Sequence, residues 1–475
     1  MLKNTNNSIH FGITDKPREY CGLCGVSGGR DILESTYLGL HALQHRGQEA
    51  AGIMTSDGEN CCRHAGDGLV DDVFARLPEK VQKQQTERAI SHIRYSTAGT
   101  KENNDAQPIM VDMGGQYVGI AHNGTICNAK SLHSKLQNEG AIFQTTSDTE
   151  LILHLMSRSL LKHHDGDVWD ALAEILREVQ GAYSLLLMTR GEMAAVRDPL
   201  GFRPLNIGQF PDGTYIVASE TITFNVTGAE FVREVEPGEL VVWDKDNNMT
   251  SRRFAECRKR AHCIFEHVYF ARPGSNVFGD SVFSVRKEMG RRLAEEAGVE
   301  TDIVMPVPDS GMFAALGYAE AAGIPFDMGF TRNHYVGRTF IDPGIQSRQR
   351  MVSRKLQAIP EAVAGKRLCL IEDSIVRGST TKARVHTLRD SGAEEVHMRV
   401  SCPPHKHGCY FGIDFPEESQ LAANKMTIDE MADSLGLDSL AYLSQPGMLS
   451  CVKAYRPEDY CCACFDGCYP VQPER

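Results

Sequence analysis

The chain has 475 residues, of which 41% are apolar and 24% are charged, and this ordinary usage excludes wholesale disorder and a fibrous repeat. Its 50 basic and 62 acidic residues give a formal charge of −12, with no basic stripe that could neutralise nucleic-acid phosphates. No apolar run approaches the ~18–20 residues of a membrane helix, and residues 1–20 lack the apolar stretch of a secretory signal. We therefore expect a cytoplasmic protein of about two to four domains with neither a nucleic-acid nor a membrane partner.

Residues 21–255 alternate strand-like apolar runs with helical patterns. The patterns predict helices at 149–162 and 168–179, followed by strands at 182–188, 215–218 and 239–243.

From about residue 260 to 410, predicted strands and helices alternate regularly. In chain order they are a strand at 302–307, a helix capped by Ser310 and ending at Gly323, a strand at 366–371, a helix at 380–391 capped by Gly392, and a strand at 395–400. Because parallel strands are joined through helical crossovers, this order predicts a parallel α/β sheet.

The remaining residues begin with helical patterns and end in a tail rich in cysteine, proline and glycine. Fifteen cysteines in a long chain without an export signal indicate reduced thiols, some of which could be nucleophiles or metal ligands. The simplest division is a leader, two catalytic domains and a tail, at 1–20, 21–255, 256–410 and 411–475.

Cys21 follows the polar leader and begins the segment CGLCGV. Four downstream segments accompany it: LQHRGQE at 43–49, HIRYST at 92–97, AHNG at 121–124 and TSDTE at 146–150. Their order and content resemble the class II, or N-terminal nucleophile, glutamine amidotransferases. Taken one at a time, His45 and His122 are better interpreted as structural histidines, and neither is assigned a catalytic role.

A cysteine nucleophile needs a base, and a cysteine at a chain terminus carries one in its own α-amino group. That amine exists only if residues 1–20 are removed, so we expect a propeptide that ends before Cys21. The glutamine amide develops an oxyanion, which the Asn123 side chain and the Gly124 N–H could stabilise. The resemblance implies that three charged residues bind glutamine: Arg46, Arg94 and Asp148.

A second informative segment is LCLIEDSIVRGSTT at 368–381, where an apolar strand ends in two acids before a Gly/Ser/Thr loop opens a helix. The loop N–H groups and hydroxyls form an anion site, while the acids suit Mg²⁺ or sugar hydroxyls. Together these features describe a ribose 5-phosphate with a metal-bound leaving group. The spacing differs from that of a Walker A loop.

This segment resembles the phosphoribosyl-diphosphate (PRPP) motif of type I phosphoribosyltransferases. The resemblance implies that Glu372 and Asp373 contact the ribose hydroxyls and, with Ser310, bind Mg²⁺. It assigns the 5-phosphate to the loop residues Gly378, Ser379, Thr380 and Thr381. Arg338 and Lys355 lie in a Gly/Arg/Gln-rich stretch that could close over the pyrophosphate.

One family joins these halves in this order, the glutamine phosphoribosylpyrophosphate amidotransferases of purine synthesis, and the resemblance extends from Cys21 to about Tyr469. It implies an N-terminal nucleophile αββα sandwich followed by a type I phosphoribosyltransferase α/β domain with a parallel sheet. Cys21 would hydrolyse glutamine through a thioester, and ammonia would pass internally to displace pyrophosphate from PRPP. The resemblance also implies one Mg²⁺ per subunit and a homotetramer inhibited by purine nucleotides.

Departures from the family pattern are modest. The acidic pair is Glu-Asp where many members have Asp-Asp, and the phosphate loop reads Gly-Ser-Thr-Thr where Gly-Thr-Thr is common. Both changes keep the needed charge and hydroxyls.

The tail carries Cys461 and Cys464 at a C-x-x-C spacing, which suits either an iron–sulfur cluster or zinc. Its context resembles the cluster-containing branch of the family, in which Cys263 and Cys409 match the other two ligand segments. The resemblance therefore implies one [4Fe–4S] cluster per subunit. Cys462 or Cys468 could replace a tail ligand, and a reduced tail without metal is the alternative.

Two other functions are compatible with parts of the sequence. Another class II amidotransferase, of the fructose-6-phosphate or asparagine-forming families, would share the first half but not the PRPP motif. A regulatory protein that senses nucleotides would keep the PRPP motif but would not need the glutaminase residues.

Overall fold

The computed structural model describes residues 21–29, 31–94, 105–162, 167–333 and 356–474. They form two compact units. The first comprises described residues from 21–289, 407–415 and 445–474, and the second those from 290–406 and 416–444. The predicted boundaries at 255 and 410 follow the motifs, and they stay a prediction.

Thirteen strands of the first unit form two antiparallel sheets. In chain order they are β1 Gly22–Ser27, β2 Ala50–Ser56, β3 Cys61–Asp67, β4 Arg88–Arg94, β5 Ile109–Met113, β6 Gln116–Ile126, β7 Gly181–Met188, β8 Met193–Arg197, β9 Asn206–Gln209, β10 Tyr215–Ala218, β11 Glu230–Glu234, β12 Glu239–Trp243 and β13 Met249–Arg253. The first sheet has the order β11-β9-β10-β1-β4-β2-β3, and the second has the order β13-β12-β8-β7-β6-β5.

The two sheets face each other, and helices pack on their outer faces. Because successive strand residues point to opposite faces, Leu23 packs with Leu186 between the sheets while the next residue, Cys24, packs with Leu40 of the first helix. On the second sheet, Leu185 points away from the first sheet into the other helical layer. The predicted αββα sandwich is therefore confirmed. Its helices are Ile32–Ala42, Val70–Phe74, Glu79–Gln82, Ala129–Asn138, Thr149–Lys162, Val168–Ile175 and Ile222–Thr227.

The second unit contains a parallel sheet with the order β17-β20-β21-β22, formed by the strands β17 Ile303–Pro306, β20 Arg367–Glu372, β21 Glu395–Val400 and β22 Ser439–Tyr442. A separate antiparallel pair consists of β18 Phe330–Arg332 and β19 Leu356–Ala358. The helices of this half of the chain are Val282–Glu296, Met312–Ala322, Pro360–Val363, Ser379–Asp390, Ala422–Lys425 and Ile428–Leu435. The predicted parallel α/β sheet is confirmed.

Short elements complete the first unit. They are a parallel pair of β14 His262–Cys263 and β23 Tyr460–Cys461, a hairpin of β15 Asn276–Val277 and β16 Asp280–Ser281, a π-helical turn Glu266–Phe270, and the helices Gln445–Leu449 and Ala463–Asp466. Within the part of the chain that the structure describes, every helix is too short or too polar to cross a bilayer.

Most predicted elements match the structure closely. The elements predicted at 149–162, 215–218, 239–243 and 395–400 have the predicted bounds. Those predicted at 182–188, 302–307, 366–371 and 380–391 differ by one residue at one or both ends.

The helix predicted at 168–179 is too long, since it ends at Ile175. Beyond it, the side chain of Asn128 accepts a hydrogen bond from the N–H of Gln180 and donates one to the carbonyl of Glu178, both at 2.9 Å. These bonds hold the chain in the turn that leads into β7.

Ser310 was predicted to be the N-cap of its helix, and this prediction is wrong. Gly311 is the N-cap and the helix begins at Met312, whereas the predicted end at Gly323 is confirmed by its left-handed backbone with φ 66°. The start is displaced because the preceding loop presses against β20: a Cβ on Gly311 would lie 2.4 Å from the carbonyl oxygen of Ile371.

Candidate active sites

Cys21 lies directly before β1, a strand inside the first sheet between β10 and β4. The register pairs Gly22 with Ile93, which places Cys21 opposite Arg94 at the end of β4. Cys21 is half-buried, whereas Cys24 of the same strand is fully buried. Burial raises the pKa of the Cys24 thiol to about 12, so that cysteine stays protonated.

Gly47 of the LQHRGQE segment lies against Arg94. A Cβ at Gly47 would meet the backbone of Arg94 at 2.8 Å, and the N–H of Glu49 donates to the Arg94 carbonyl at 3.1 Å. Only glycine permits this close approach, so the segment fixes the end of β4 that carries Arg94.

Asp105 joins the two residues predicted to bind the amino-acid end of glutamine. Its carboxylate lies 3.2 Å from Arg94 Nη2, and it accepts bonds from the Thr146 hydroxyl at 2.8 Å and the Thr146 N–H at 3.2 Å. Thr146 stands two residues before Asp148. Arg94 and the loop of Asp148 are thereby held together, and sequence reasoning missed Asp105 because no motif marks it.

Asp148 is an ionised carboxylate. Its Oδ1 lies 3.3 Å from His122 Nδ1, and its Oδ2 accepts a bond from the Ile126 N–H at 2.8 Å. Burial acts to raise the pKa of Asp148, but His122 and the backbone donors outweigh burial and lower it. A negative charge here suits the ammonium group of an amino acid.

Asn123 and Gly124 are adjacent in β6, beside β7. Asn123 is only 3% exposed, and its side-chain nitrogen has no hydrogen-bond partner within the described residues. Gly124 has φ 144°, and a Cβ there would lie 2.0 Å from the carbonyl oxygen of Ala182. A buried amide donor left available for a ligand is what an oxyanion site requires.

Arg46 is buried beside Cys21. Its guanidinium pairs with Glu220 and, at 2.6 Å, with Glu266, while its Nε donates to the carbonyl of Cys21 at 3.4 Å. Burial alone would lower the pKa of Arg46, but the two carboxylates raise it, so the charge is permanent. These contacts support a role in holding Cys21, and the predicted binding of glutamine by Arg46 stays a prediction.

In the second unit, Glu372 and Asp373 stand at the carboxyl end of β20, each 1% exposed. Glu372 Oε2 accepts a bond from Arg384 Nη1 at 2.5 Å, and Asp373 Oδ1 accepts one from the Ser374 hydroxyl at 2.6 Å. Arg384 projects from the helix Ser379–Asp390 that follows the loop. Glu372, which stands where many family members have the shorter aspartate, is therefore held by an arginine that sequence reasoning did not identify.

His405 lies near Asp373 and is buried. Burial lowers the pKa of His405 to about 3, against the opposing effect of the Asp373 charge. The imidazole is therefore neutral at physiological pH.

The loop after the acids ends in Gly378, whose φ of 83° places it in the left-handed region as the N-cap of the next helix. The Lys382 N–H bonds to the Gly378 carbonyl at 2.9 Å, so the N–H groups of residues 379–381 form the first turn. Ser379 is exposed and Thr381 is buried. A helix start of this kind suits a phosphate.

Ser310 belongs to a loop beside these acids, because its neighbour Gly311 contacts Ile371 and the Val307 N–H bonds to the Ile371 carbonyl at 2.8 Å. Hydroxyl and carboxylate oxygens therefore gather at one edge of the sheet, and these are ligands that Mg²⁺ prefers. Arg338 and Lys355 lie outside the described residues.

The four cysteines predicted to hold a cluster come together in the first unit. Cys263 and Cys461 are paired in the two-stranded sheet of β14 and β23. Burial raises the pKa of the Cys464 thiol, and the neighbouring Cys409 and Cys263 raise it further. Cys468, in contrast, is exposed.

Across the described ranges of the chain, no three His, Cys, Asp or Glu side chains converge as ligands of a single metal ion. The thiolates of a four-iron cluster bind four different iron atoms and do not need to meet at one point. Four neighbouring thiols fit that donor set.

Comparison with known proteins agrees with this geometry. A glutamine amidotransferase domain model matches residues 92–225. Amidophosphoribosyltransferase of Bacillus subtilis is 44% identical over 461 residues, which cover 96% of this chain and 94% of that protein. The Archaeoglobus fulgidus enzyme is 42% identical and covers 94% and 98% of the two chains.

Solved structures give the same result. Glutamine PRPP amidotransferase from Bacillus subtilis complexed with ADP and GMP superposes with a TM-score of 0.88 at 42% identity, covering 95% of this chain and 98% of that chain. A structure described as the allosteric regulatory enzyme of purine biosynthesis gives a TM-score of 0.90 at 43% identity, covering 96% and 97%. Full-length relatives at this identity, together with the sandwich and the parallel sheet, show that the chain belongs to the amidophosphoribosyltransferase family.

Proposed function

We propose that this enzyme takes ammonia from glutamine at the Cys21 site and joins it to PRPP at the Glu372–Asp373 site. The products are glutamate, 5-phosphoribosylamine and pyrophosphate, the first committed step of purine synthesis. The observation that carries the proposal is the buried side-chain nitrogen of Asn123, which has no hydrogen-bond partner within the described residues. The same chain also places two buried acids, Glu372 and Asp373, before a helix start that suits a phosphate.

At the first site, the Cys21 thiol attacks the amide carbon of glutamine, and the α-amine of a mature Cys21 takes its proton. Asn123 and the Gly124 N–H donate to the oxyanion that forms. The amine returns the proton as the C–N bond breaks, so ammonia leaves and a thioester remains. Water then hydrolyses the thioester to glutamate, while Arg94 and Asp148 hold the carboxylate and ammonium of the substrate.

At the second site, Glu372 and Asp373 accept bonds from the ribose hydroxyls, and the helix start at residues 379–381 donates to the 5-phosphate. The nitrogen of ammonia bonds to C1 as the C1–O bond to pyrophosphate breaks. Mg²⁺ held by Ser310, Glu372 and Asp373 would neutralise the departing pyrophosphate. Arg384 keeps the Glu372 carboxylate at the strand end during this exchange.

An assay for PRPP-dependent glutamate release tests this function. We expect glutamate and phosphoribosylamine in equal amounts when glutamine, PRPP and Mg²⁺ are all present. Glutamate release that depends on fructose 6-phosphate or aspartate instead would indicate another class II amidotransferase. Nucleotide binding without glutamate release would indicate a regulatory protein.

The four neighbouring cysteines support a [4Fe–4S] cluster with a structural role, joining the tail to the earlier parts of the first unit. We expect brown protein after anaerobic purification, with about four iron and four sulfide per chain. Cys464→Ser should lose the cluster because that thiol is buried beside the other three. Cys468→Ser, a matched control at an exposed thiol, should keep it.

Two outcomes would contradict the cluster. Stoichiometric zinc without sulfide would replace it by a zinc site while leaving both catalytic sites unaffected. Loss of iron in Cys468→Ser but not in Cys464→Ser would move the fourth ligand to Cys468.

Regulation and assembly are further parts of the proposal. Purine nucleotides as inhibitors are supported by the Bacillus subtilis structure complexed with ADP and GMP. Family resemblance supports a homotetramer. The many cysteines of the sequence, which suit a reducing compartment, support a cytoplasmic location.

A further inference from the structure

Three buried charges form a connected chain beneath Cys21. Glu266 Oε1 lies 2.6 Å from Arg46 Nη2 and 3.1 Å from Arg203 Nη1. Arg46, Arg203 and Glu266 are 1%, 2% and 0% exposed. One carboxylate oxygen therefore holds two buried guanidinium groups, and the other oxygen of Glu266 has no hydrogen-bond partner in the described part of the chain.

The two ends of this chain of charges reach functional residues. At one end, Arg46 Nε donates to the Cys21 carbonyl at 3.4 Å. At the other end, Arg203 Nη1 lies 3.9 Å from the sulfur of Cys263. Glu266 is the first residue of a π-helical turn, three residues after Cys263, and its carboxylate contacts both arginines.

A second contact joins the same regions independently. The segment 407–415 carries Cys409, and a Cβ at its Gly412 would lie 3.1 Å from the Cα of Gly124. The backbone carbonyl of Tyr410 accepts a bond from the Cys127 thiol at 3.3 Å. The end of β6 that carries the oxyanion donors thus rests on a cysteine-bearing segment.

We propose that Glu266 is a positioning residue for glutamine hydrolysis, which ties the orientation of Cys21 to the four-cysteine site through Arg46 and Arg203. The inference rests on the proposed function, because it concerns the rate of the glutaminase half-reaction. Glu266 does not touch the substrate. It acts by holding Arg46 in position to bind the backbone carbonyl of Cys21. In the proposed mechanism, Cys21 supplies both the nucleophile and its base.

The charge of Glu266 matters more than its shape. Removing one partner of a buried ion pair leaves the other charge uncompensated, which is far more costly than losing an exposed pair. Glutamine at 266 keeps the size of the side chain but leaves Arg203 without its carboxylate and Arg46 with only Glu220. We expect Arg46 to shift toward Glu220 and away from the Cys21 carbonyl.

The test compares Glu266→Gln and Glu266→Asp in the full mature enzyme. For Glu266→Gln, we expect kcat for glutamine hydrolysis to fall about 10²-fold, because a small displacement of a nucleophile has an effect of this size. KM for glutamine should change little, since Arg94 and Asp148 are not part of this network. Glu266→Asp, which keeps the charge, should recover part of the rate.

Two further readouts separate positioning from general damage. Ammonia-dependent synthesis should stay at the native rate, and hydrogen exchange of the amides at 22–27 should be faster in Glu266→Gln than in the native enzyme. Iron should leave Glu266→Gln faster under a chelator, because Arg203 would lose its anchor beside Cys263. The matched control is Glu239→Gln, which removes a similarly buried carboxylate bound to Arg233 at 2.8 and 2.9 Å.

Native glutamine turnover in Glu266→Gln would overturn the proposal, as would equal losses in Glu266→Gln and Glu239→Gln. Unchanged iron release would overturn the link to the four-cysteine site. If the native enzyme itself failed to release glutamate from glutamine, the proposed function would fail instead, and the two failures are therefore distinguishable.

Discussion

Replacing Cys21 by alanine is expected to abolish glutamine-dependent synthesis of phosphoribosylamine while ammonia-dependent synthesis continues. The thiol is the only group at this site that forms the thioester in the proposed mechanism, so its loss should lower the glutamine-dependent rate by about 10⁴-fold or more. The acids proposed to bind PRPP belong to the other compact unit and are not altered. Steady-state assays of the same preparation with glutamine and with high ammonium measure both rates.

Cys24→Ala is the matched control, because this thiol lies in the same strand but is buried and protonated. It should keep glutamine-dependent activity. Intact-mass analysis of the native enzyme should show a chain that begins at Cys21, since the α-amine is the proposed base. Normal glutamine turnover in Cys21→Ala, or full activity with residues 1–20 attached, would contradict the nucleophile and its terminal base.

The elements of the fold were largely predictable because their signals are local. The strand at 215–218 and the helix at 149–162 were predicted from the spacing of apolar residues within each short segment, without information from the rest of the chain. Element ends were less predictable. The turn after Ile175 depends on Asn128, about fifty residues away, and the start of the helix at Met312 depends on contact with β20.

The candidate sites divide in the same way. Residues within short motifs, such as Asn123 and Asp373, could be given a predicted role from resemblance, because the chemistry needs them at fixed positions. Asp105, Glu266 and Arg384 could not be predicted in this way. None of the three lies in a recognised motif, and each contacts residues that only the fold brings next to it. Only the fold shows that Glu266 neutralises Arg46 across 220 positions.

Replacing Asp373 by asparagine is expected to stop phosphoribosylamine synthesis with either nitrogen source. The substitution keeps the size and one acceptor oxygen for the Ser374 hydroxyl, but it removes the charge that the proposed ribose and Mg²⁺ site requires at the end of β20. Loss of one such electrostatic group lowers rates by about 10²–10³-fold. Glutamine-independent synthesis with high ammonium isolates this site from Cys21.

Asp302→Asn is the matched control, because Asp302 lies at the amino-terminal end of the strands of the same sheet. Asp302 pairs with Arg367 at the start of β20, at 3.0 Å, and both side chains are partly exposed, so neutralising it should leave synthesis close to the native rate. If Asp302→Asn were as damaging as Asp373→Asn, the loss would reflect the stability of the parallel sheet. If Asp373→Asn kept normal PRPP-dependent synthesis, the acids would not bind the ribose. A selective loss in Asp373→Asn with both nitrogen sources is the result that only a PRPP site at this strand end explains.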